Sequence, residues 1–220
     1  MLEVLYEDNH LIAVNKKSGD IVQGDKTGDT PLSDFVKTYI KKKYKKSGEV
    51  FLGIIHRLDR PTSGIILFAR TSKALSRMNE QFRKKKVQKT YWAIVENSPP
   101  KENGTLENYL HKNQKQNKSY VIKGKEGKHS ILEYKLLSKL NNYYLLELKP
   151  RTGRHHQIRV QLSEIGCVIK GDLKYGAKRS NKDASIHLLA QKLEFTHPVK
   201  KEKIVLQANP PNDVIWDACR

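Results

Sequence analysis

Only two cysteines occur in the 220 residues, Cys167 and Cys219, far apart and in no Cys-x-x-Cys or Cys/His spacing. That excludes a disulfide framework and gives no sign of a zinc site. Long apolar runs are missing too. None approaches the ~20 residues of a spanning helix, and no stretch reads as a basic helix with a strongly apolar face. The start, "MLEVLYEDNHLIAVNKK", lacks the charged, apolar and small-residue regions of a secretory signal. These absences predict a cytoplasmic chain without membrane partners. Acidic residues are scarce: 23 Asp and Glu face 42 Lys and Arg, a net charge of +19. Such an excess attracts polyanions, so nucleic acid is the leading partner. With no internal repeat and no low-complexity linker, a chain of this length needs one core. A single domain over 1–220 is expected, acting as a monomer.

The apolar pattern predicts a mixture of helix and sheet. "VLYEDNHLIAV" places two strand-like runs around Asp8-Asn9. Leu32, Phe35, Val36, Tyr39 and Ile40 recur at helical spacing before the chain dissolves into lysines. A second helix is expected after Thr71 or Ser72 as cap, with Ala74, Leu75, Met78 and Phe82 on one face. "KTYWAIVEN" and the two halves of "ILEYKLLSKLNNYYLLELKP" read as strands. Between them, "HKNQKQNKSYVIKGKEGKH" reads as an exposed loop or loosely held hairpin. In "PRTGRHHQIRVQLSEIG", Ile158, Leu162 and Ile165 predict a helix ended by Gly166, with Arg154 in its first turn. "SIHLLAQKLEFTHPV" and "KIVLQANPP" supply two more strands.

"GIIHRLDRPTSGIILFAR", residues 53 to 70, holds one carboxylate, Asp59, between Arg57 and Arg60. An Asp in a turn commonly accepts backbone hydrogen bonds while neighbouring arginines satisfy its charge. Here His, two Arg, Asp, Pro, Thr, Ser and Gly crowd into nine positions, which is a more specific pattern. "HRLDRPTSGIILFAR" resembles the signature of the RluA-type pseudouridine synthases. "YEDNHLIAVNKKSG", "KTYWAIV", "LKPRTGRHHQIRVQL", "IGCVIKGDLKYG" and "LLAQKLEFTHP" extend the resemblance over essentially the whole chain.

The resemblance implies an α+β catalytic domain, with a mixed, mostly antiparallel sheet, flanking helices and a central cleft. It implies isomerisation of uridine in ribosomal or transfer RNA to pseudouridine. Uracil is detached from ribose, turned and rejoined through C5. Ordinary glycoside hydrolysis uses two carboxylates, but uracil can leave as a delocalised anion, so one ionised Asp suffices. Three routes stay open for it: attack on the sugar, attack on the base, or removal of a sugar proton. By resemblance Asp59 is the catalytic carboxylate, and Arg154 pairs with it and keeps it charged against the effect of burial. Tyr91 stacks on the extracted base and assists proton removal from C5. Arg57 reaches into the RNA as the base leaves its stack, while His56 and Thr62 support the motif's shape.

No cofactor is expected, because isomerisation needs no redox or group carrier. A metal on His155-His156 is rejected, since adjacent helical side chains point about 100° apart. Lysine runs at 41–46, 84–89 and 112–128 suit RNA backbone contacts. A basic RNA-remodelling protein would explain the charge but not "HRLDRPTSG". A nucleoside hydrolase would need a second carboxylate or a metal cluster, and neither is recognisable in the sequence. Two positions depart from the family: Lys17 stands where proline is usual, and Leu189 where histidine is frequent. No separate N-terminal RNA-binding domain is expected, which leaves target selection to the catalytic domain's own surface.

Overall fold

The computed structural model describes residues 2–25 and 27–219. The chain forms two compact units, residues 1–88 with 190–209 and residues 89–189 with 210–220.

In the first unit, β1 (Val4–Glu7) and β2 (Leu11–Lys16) form the expected hairpin. Its turn closes because Asp8 Oδ1 accepts the N–H groups of His10 and Leu11, both at 2.8 Å. Helix α1 (Leu32–Lys43) follows, then β3 (Gly53–Ile54), β4 (Ser63–Ala69) and α2 (Ser72–Arg83). The Thr71 side chain caps α2 by accepting the N–H of Ala74 at 3.2 Å. β2 runs antiparallel to β4, and every residue of β4 is buried. Burial on both faces explains why "IILFA" reads as a continuous apolar run rather than an alternating one. Val36 and Ile40 of α1 pack on Ile12, Val14, Ile66 and Phe68, each such side chain contributing roughly 1.5–3 kcal/mol.

In the second unit, β5 (Gln88–Val95), β6 (Asn103–Asn113), β7 (Lys118–Ile122), β8 (Lys128–Lys139) and β9 (Tyr144–Pro150) lie in the order β5-β9-β8-β6-β7. All four pairings are antiparallel. The lysine-dense stretch is therefore a real hairpin, β6 to β7, with its turn at residues 114–117. Helix α3 (Gln157–Glu164) sets Ile158 and Leu162 against Ala93, Val95, Leu146 and Leu148. Strand β10 (Leu188–Thr196) begins here and from Ala190 belongs to the first unit, where the order is β1-β2-β4-β10. There β11 (Lys203–Gln207) pairs with β10 and β3 with β4. A short α4 (Val214–Asp217) is capped by Asp213 and buries Trp216 against the His187 ring. The fold class is α+β, as expected.

Gly64 makes β4 dependent on one residue type. Its φ is +113°, and a Cβ there would collide with the backbone of Ala190. Side-chain residues avoid that backbone conformation, and backbone cannot give way as a flexible side chain can. Gly64→Ala is expected to cost more than about 2 kcal/mol. Urea denaturation of the two proteins measures it, and an unchanged midpoint would refute it.

Candidate active site

Arg57 and Asp59 lie between β3 and β4 of the first unit, Arg57 exposed and Asp59 half-buried. The loop turns where the Thr62 N–H donates to Asp59 O at 3.0 Å, and Pro61 inside the turn has a fixed φ. What holds it is Lys16, at the end of β2 and only 1% exposed. Its ammonium donates to the carbonyls of Lys17, Arg60 and Thr62 at 2.9, 3.0 and 2.8 Å. All three donor positions of the head group are thus used, two of them on the backbone that follows Asp59. The Gly19 N–H to Arg60 O and the Ser18 hydroxyl to Pro61 O add two more stitches, at 2.9 and 3.1 Å. His56 supports the same segment, its Nε2 accepting the Leu67 N–H at 3.1 Å while its ring stacks on Phe82.

Burial pulls the Lys16 ammonium down to about 8, and the charges of Asp20 and Asp59 oppose that pull. At neutral pH it is still a cation, so Asp59 has a positive charge beneath its own loop. The sequence reading passed over Lys16, treating "NKKSG" only as a place of departure. Arg60 turns outward to Asp29 at 2.8 Å.

Tyr91 and Arg154 belong to the second unit. Tyr91 is half-buried on β5, opposite Leu148 of β9. Arg154 is exposed on the turn between β9 and α3, not in the helix's first turn as expected. The reason is local. His156, the residue before α3, takes a left-handed conformation with φ +53°, and Gln157 Oε1 accepts both the Thr152 hydroxyl and the Arg154 N–H, at 2.8 and 3.0 Å. These bonds fold residues 152–156 into a turn that the apolar periodicity does not encode. Arg154 Nε donates to His129 O at 3.0 Å, which fixes the guanidinium plane. The same turn corrects the geometry assumed for the two histidines: their rings stack with centroids 3.7 Å apart instead of diverging.

Under this turn lies a polar network. Arg159 and Asp172, 5% and 1% exposed at their side chains, pair in two-pronged fashion, Nε to Oδ2 at 2.7 Å and Nη2 to Oδ1 at 2.8 Å. The guanidinium also lies over the Tyr175 ring, 5.1 Å from its centroid. The Tyr175 hydroxyl accepts the Ser119 N–H and stands 2.9 Å from His156 Nδ1, which suits a proton donated to a neutral imidazole. Burial first, then the charge of Arg159, pushes His156 down to about 2. Neither Asp172 nor Tyr175 carries a spacing signal in the sequence; they reach α3 only through the fold.

A family model described as RNA pseudouridylate synthase matches residues 10–164, a span that contains Asp59, Tyr91 and Arg154. The chain belongs to the RNA pseudouridine synthases, in their RluA-type branch. The synthase is 33% identical over 219 residues to "Ribosomal large subunit pseudouridine synthase D" of Borreliella burgdorferi, covering 98% of this chain and 67% of that protein. It is 32% identical over 237 residues to "tRNA pseudouridine synthase C" of Pectobacterium carotovorum, covering 99% and 60%. Among solved structures it is similar to "Human RNA Pseudouridylate Synthase Domain Containing 4", with TM-score 0.81 and 25% identity over 97% of this chain and 90% of that one. Like its family, the synthase is an isomerase. No helix among its described residues is long and apolar enough to cross a membrane.

The His156 shift gives the synthase an acid-sensitive element. With the folded value near 2 and an ordinary value of 6.5, the unfolded chain binds more protons between those limits. Stability from this group is therefore complete above pH 6.5 and is lost as pH falls toward 2, by about 2 kcal/mol already at pH 5. His156→Gln, which offers an acceptor but does not titrate, should flatten this limb. Denaturant midpoints at pH 7 and 5 test it, and an equal acid loss in both proteins would exclude His156 as its source.

Proposed function

We propose that the synthase converts specific uridines of structured RNA, ribosomal or transfer, to pseudouridine, with Asp59 as its carboxylate and the target base flipped from its stack. The observation that carries this reading is the signature "HRLDRPTSG" on a turn that Lys16 ties through the carbonyls of Arg60 and Thr62. A rigid turn presents a carboxylate in one orientation, and orientation is worth several powers of ten in rate. Asp59 acts while the N1–C1′ bond breaks, as nucleophile toward ribose or base or as acceptor of a ribose proton. The electron pair leaves with uracil, spread over the ring and its two oxygens. After the ring turns, C5 bonds to C1′ as Asp59 is released from any bond or proton it took; C5 then loses its proton and N1 gains one, so atoms and charge balance without a cofactor.

By motif correspondence, Tyr91 is the platform for the base and the aid to C5 deprotonation, Arg154 the partner of the carboxylate, and Arg57 the side chain that fills the vacated stack. The family match runs through both units, from 10 to 164, which supports one catalytic domain over the whole chain. The net charge of +19 and the lysines of the β6–β7 hairpin suit sequence-independent contacts to phosphates. Relatives named for ribosomal and for transfer RNA both support the substrate class.

RNA tritiated at C5 of uridine tests the reaction, because isomerisation releases that hydrogen while the base stays attached and a hydrolase would release free uracil. Asp59→Asn keeps size and removes charge, so tritium release should vanish while RNA binding persists; appreciable release from a clean sample would end the assignment. Arg154→Lys keeps one charge and loses the planar fork. A pairing role predicts a loss in single-turnover rate of roughly tenfold or more, about 1.4 kcal/mol, with affinity unchanged. Weaker binding, a smaller salt slope and intact chemistry would instead put Arg154 on the RNA backbone.

A further inference from the structure

Lys89 is the second residue of strand β5, and alternation along the strand puts it on the same face as Tyr91, Ala93 and Val95. That face runs from a dry end, where Ala93 and Val95 are wholly buried against α3, to a half-buried end at Tyr91 and Lys89. The Lys89 ammonium lies beside the turn that carries Arg154: a Cβ built on Gly153 would stand 3.6 Å from its Nζ. Burial lowers the Lys89 pKa and is the sole cause; no acid or hydrogen bond from the described residues opposes it. Lys16 gives the contrast, since it is more deeply buried yet spends its three donors on carbonyls. A desolvated ammonium without a counter-charge costs stability. Its place is therefore better explained by an anion that arrives with a ligand than by the fold.

The reading of Tyr91 as the base platform, on which this inference rests, says what that anion is. Residues two apart on a strand are separated by about 7 Å, within the span of a lysine side chain, so Nζ can reach the rim of a nucleotide lying on Tyr91. We propose that Lys89 is a substrate-contacting residue whose ammonium pairs with an anionic oxygen of the target nucleotide. That oxygen belongs either to a flanking phosphate or to the uracil anion formed when N1–C1′ breaks.

Lys89→Met in the full chain separates the cases, because methionine keeps an unbranched stem and removes the charge. The probes are ribosomal and transfer RNA transcripts tritiated at C5. The readouts are thermal midpoint, RNA affinity over a potassium chloride series, and single-turnover release at saturating RNA. The midpoint should hold or rise, since a charge with no partner is removed. A phosphate contact predicts affinity weakened at least about threefold with a salt slope smaller by about 0.7–0.9. A uracil contact predicts unchanged affinity and a rate reduced at least about tenfold. Lys89→Arg should recover part of either loss. Unchanged affinity and rate would overturn the proposal, and so would a lowered midpoint accompanying the loss, which would assign the ammonium to the fold. If the parent releases no tritium from either RNA, the assigned activity fails, and the salt series still decides whether Lys89 meets a phosphate.

Discussion

A lysine ammonium buried beneath the turn that carries Asp59 is the constraint on which the first unit depends. Lys16 sits at the end of β2, where the strand's own ladder with β4 has ended at Gly64, and it takes over what that ladder no longer does. Three carbonyls on two separate segments converge on one point charge. Carbonyls left unpaired in that interior would each cost a few kcal/mol, and an ammonium left unpaired would cost more. Either group alone is a liability; together they define one geometry. The turn carrying Asp59 inherits that geometry.

The second unit solves a similar problem with different chemistry. The segment carrying Arg154 leaves β9 and must reverse before α3, between the Arg151 N–H bond to Ile131 O and the first helical bond, Val160 N–H to His156 O. Gln157 reaches back to Thr152 and to the Arg154 backbone, while Arg159, two residues further along the helix, is clamped by Asp172. Half of the buried residues of α3 are polar: Gln157, Arg159 and Gln161 all point into the protein. Gln161 donates to Leu106 O and Asn108 Oδ1. A helix of this kind contributes specificity of position more than hydrophobic burial. Removing one member of the Arg159–Asp172 pair would leave a buried charge alone, which is why such pairs fix a structure even when their net stabilisation is small.

Seen together, the lysines fall into classes that the sequence does not separate. Lys16 is structural and fully hydrogen-bonded. Lys89 is half-buried and has no counter-charge among the described residues. Those of the β6–β7 turn and of the α1 terminus are exposed, where they act through summed charge. Free energy distinguishes them: the first stabilises the fold, the second strains it, and the third leaves it nearly unchanged while drawing in polyanions.

The sequence alone determined the elements whose cause is local or periodic: the β1–β2 hairpin, α1, α2 with its Thr71 cap, strands β5 and β8 to β11, and the signature containing Asp59, but it left the β6–β7 hairpin open between loop and strand. It also determined the charge, which depends on composition and not on folding. It did not place Arg154, because a left-handed residue at His156 and the reach of Gln157 have no periodic signal. It did not single out Lys16, Asp172 or Tyr175, whose partners lie 46, 13 and 56 residues away in the chain. Hydrogen bonds over such separations exist only after the strands have paired. Local pattern reports what a segment can bury, whereas the partner of a buried charge is chosen by tertiary structure.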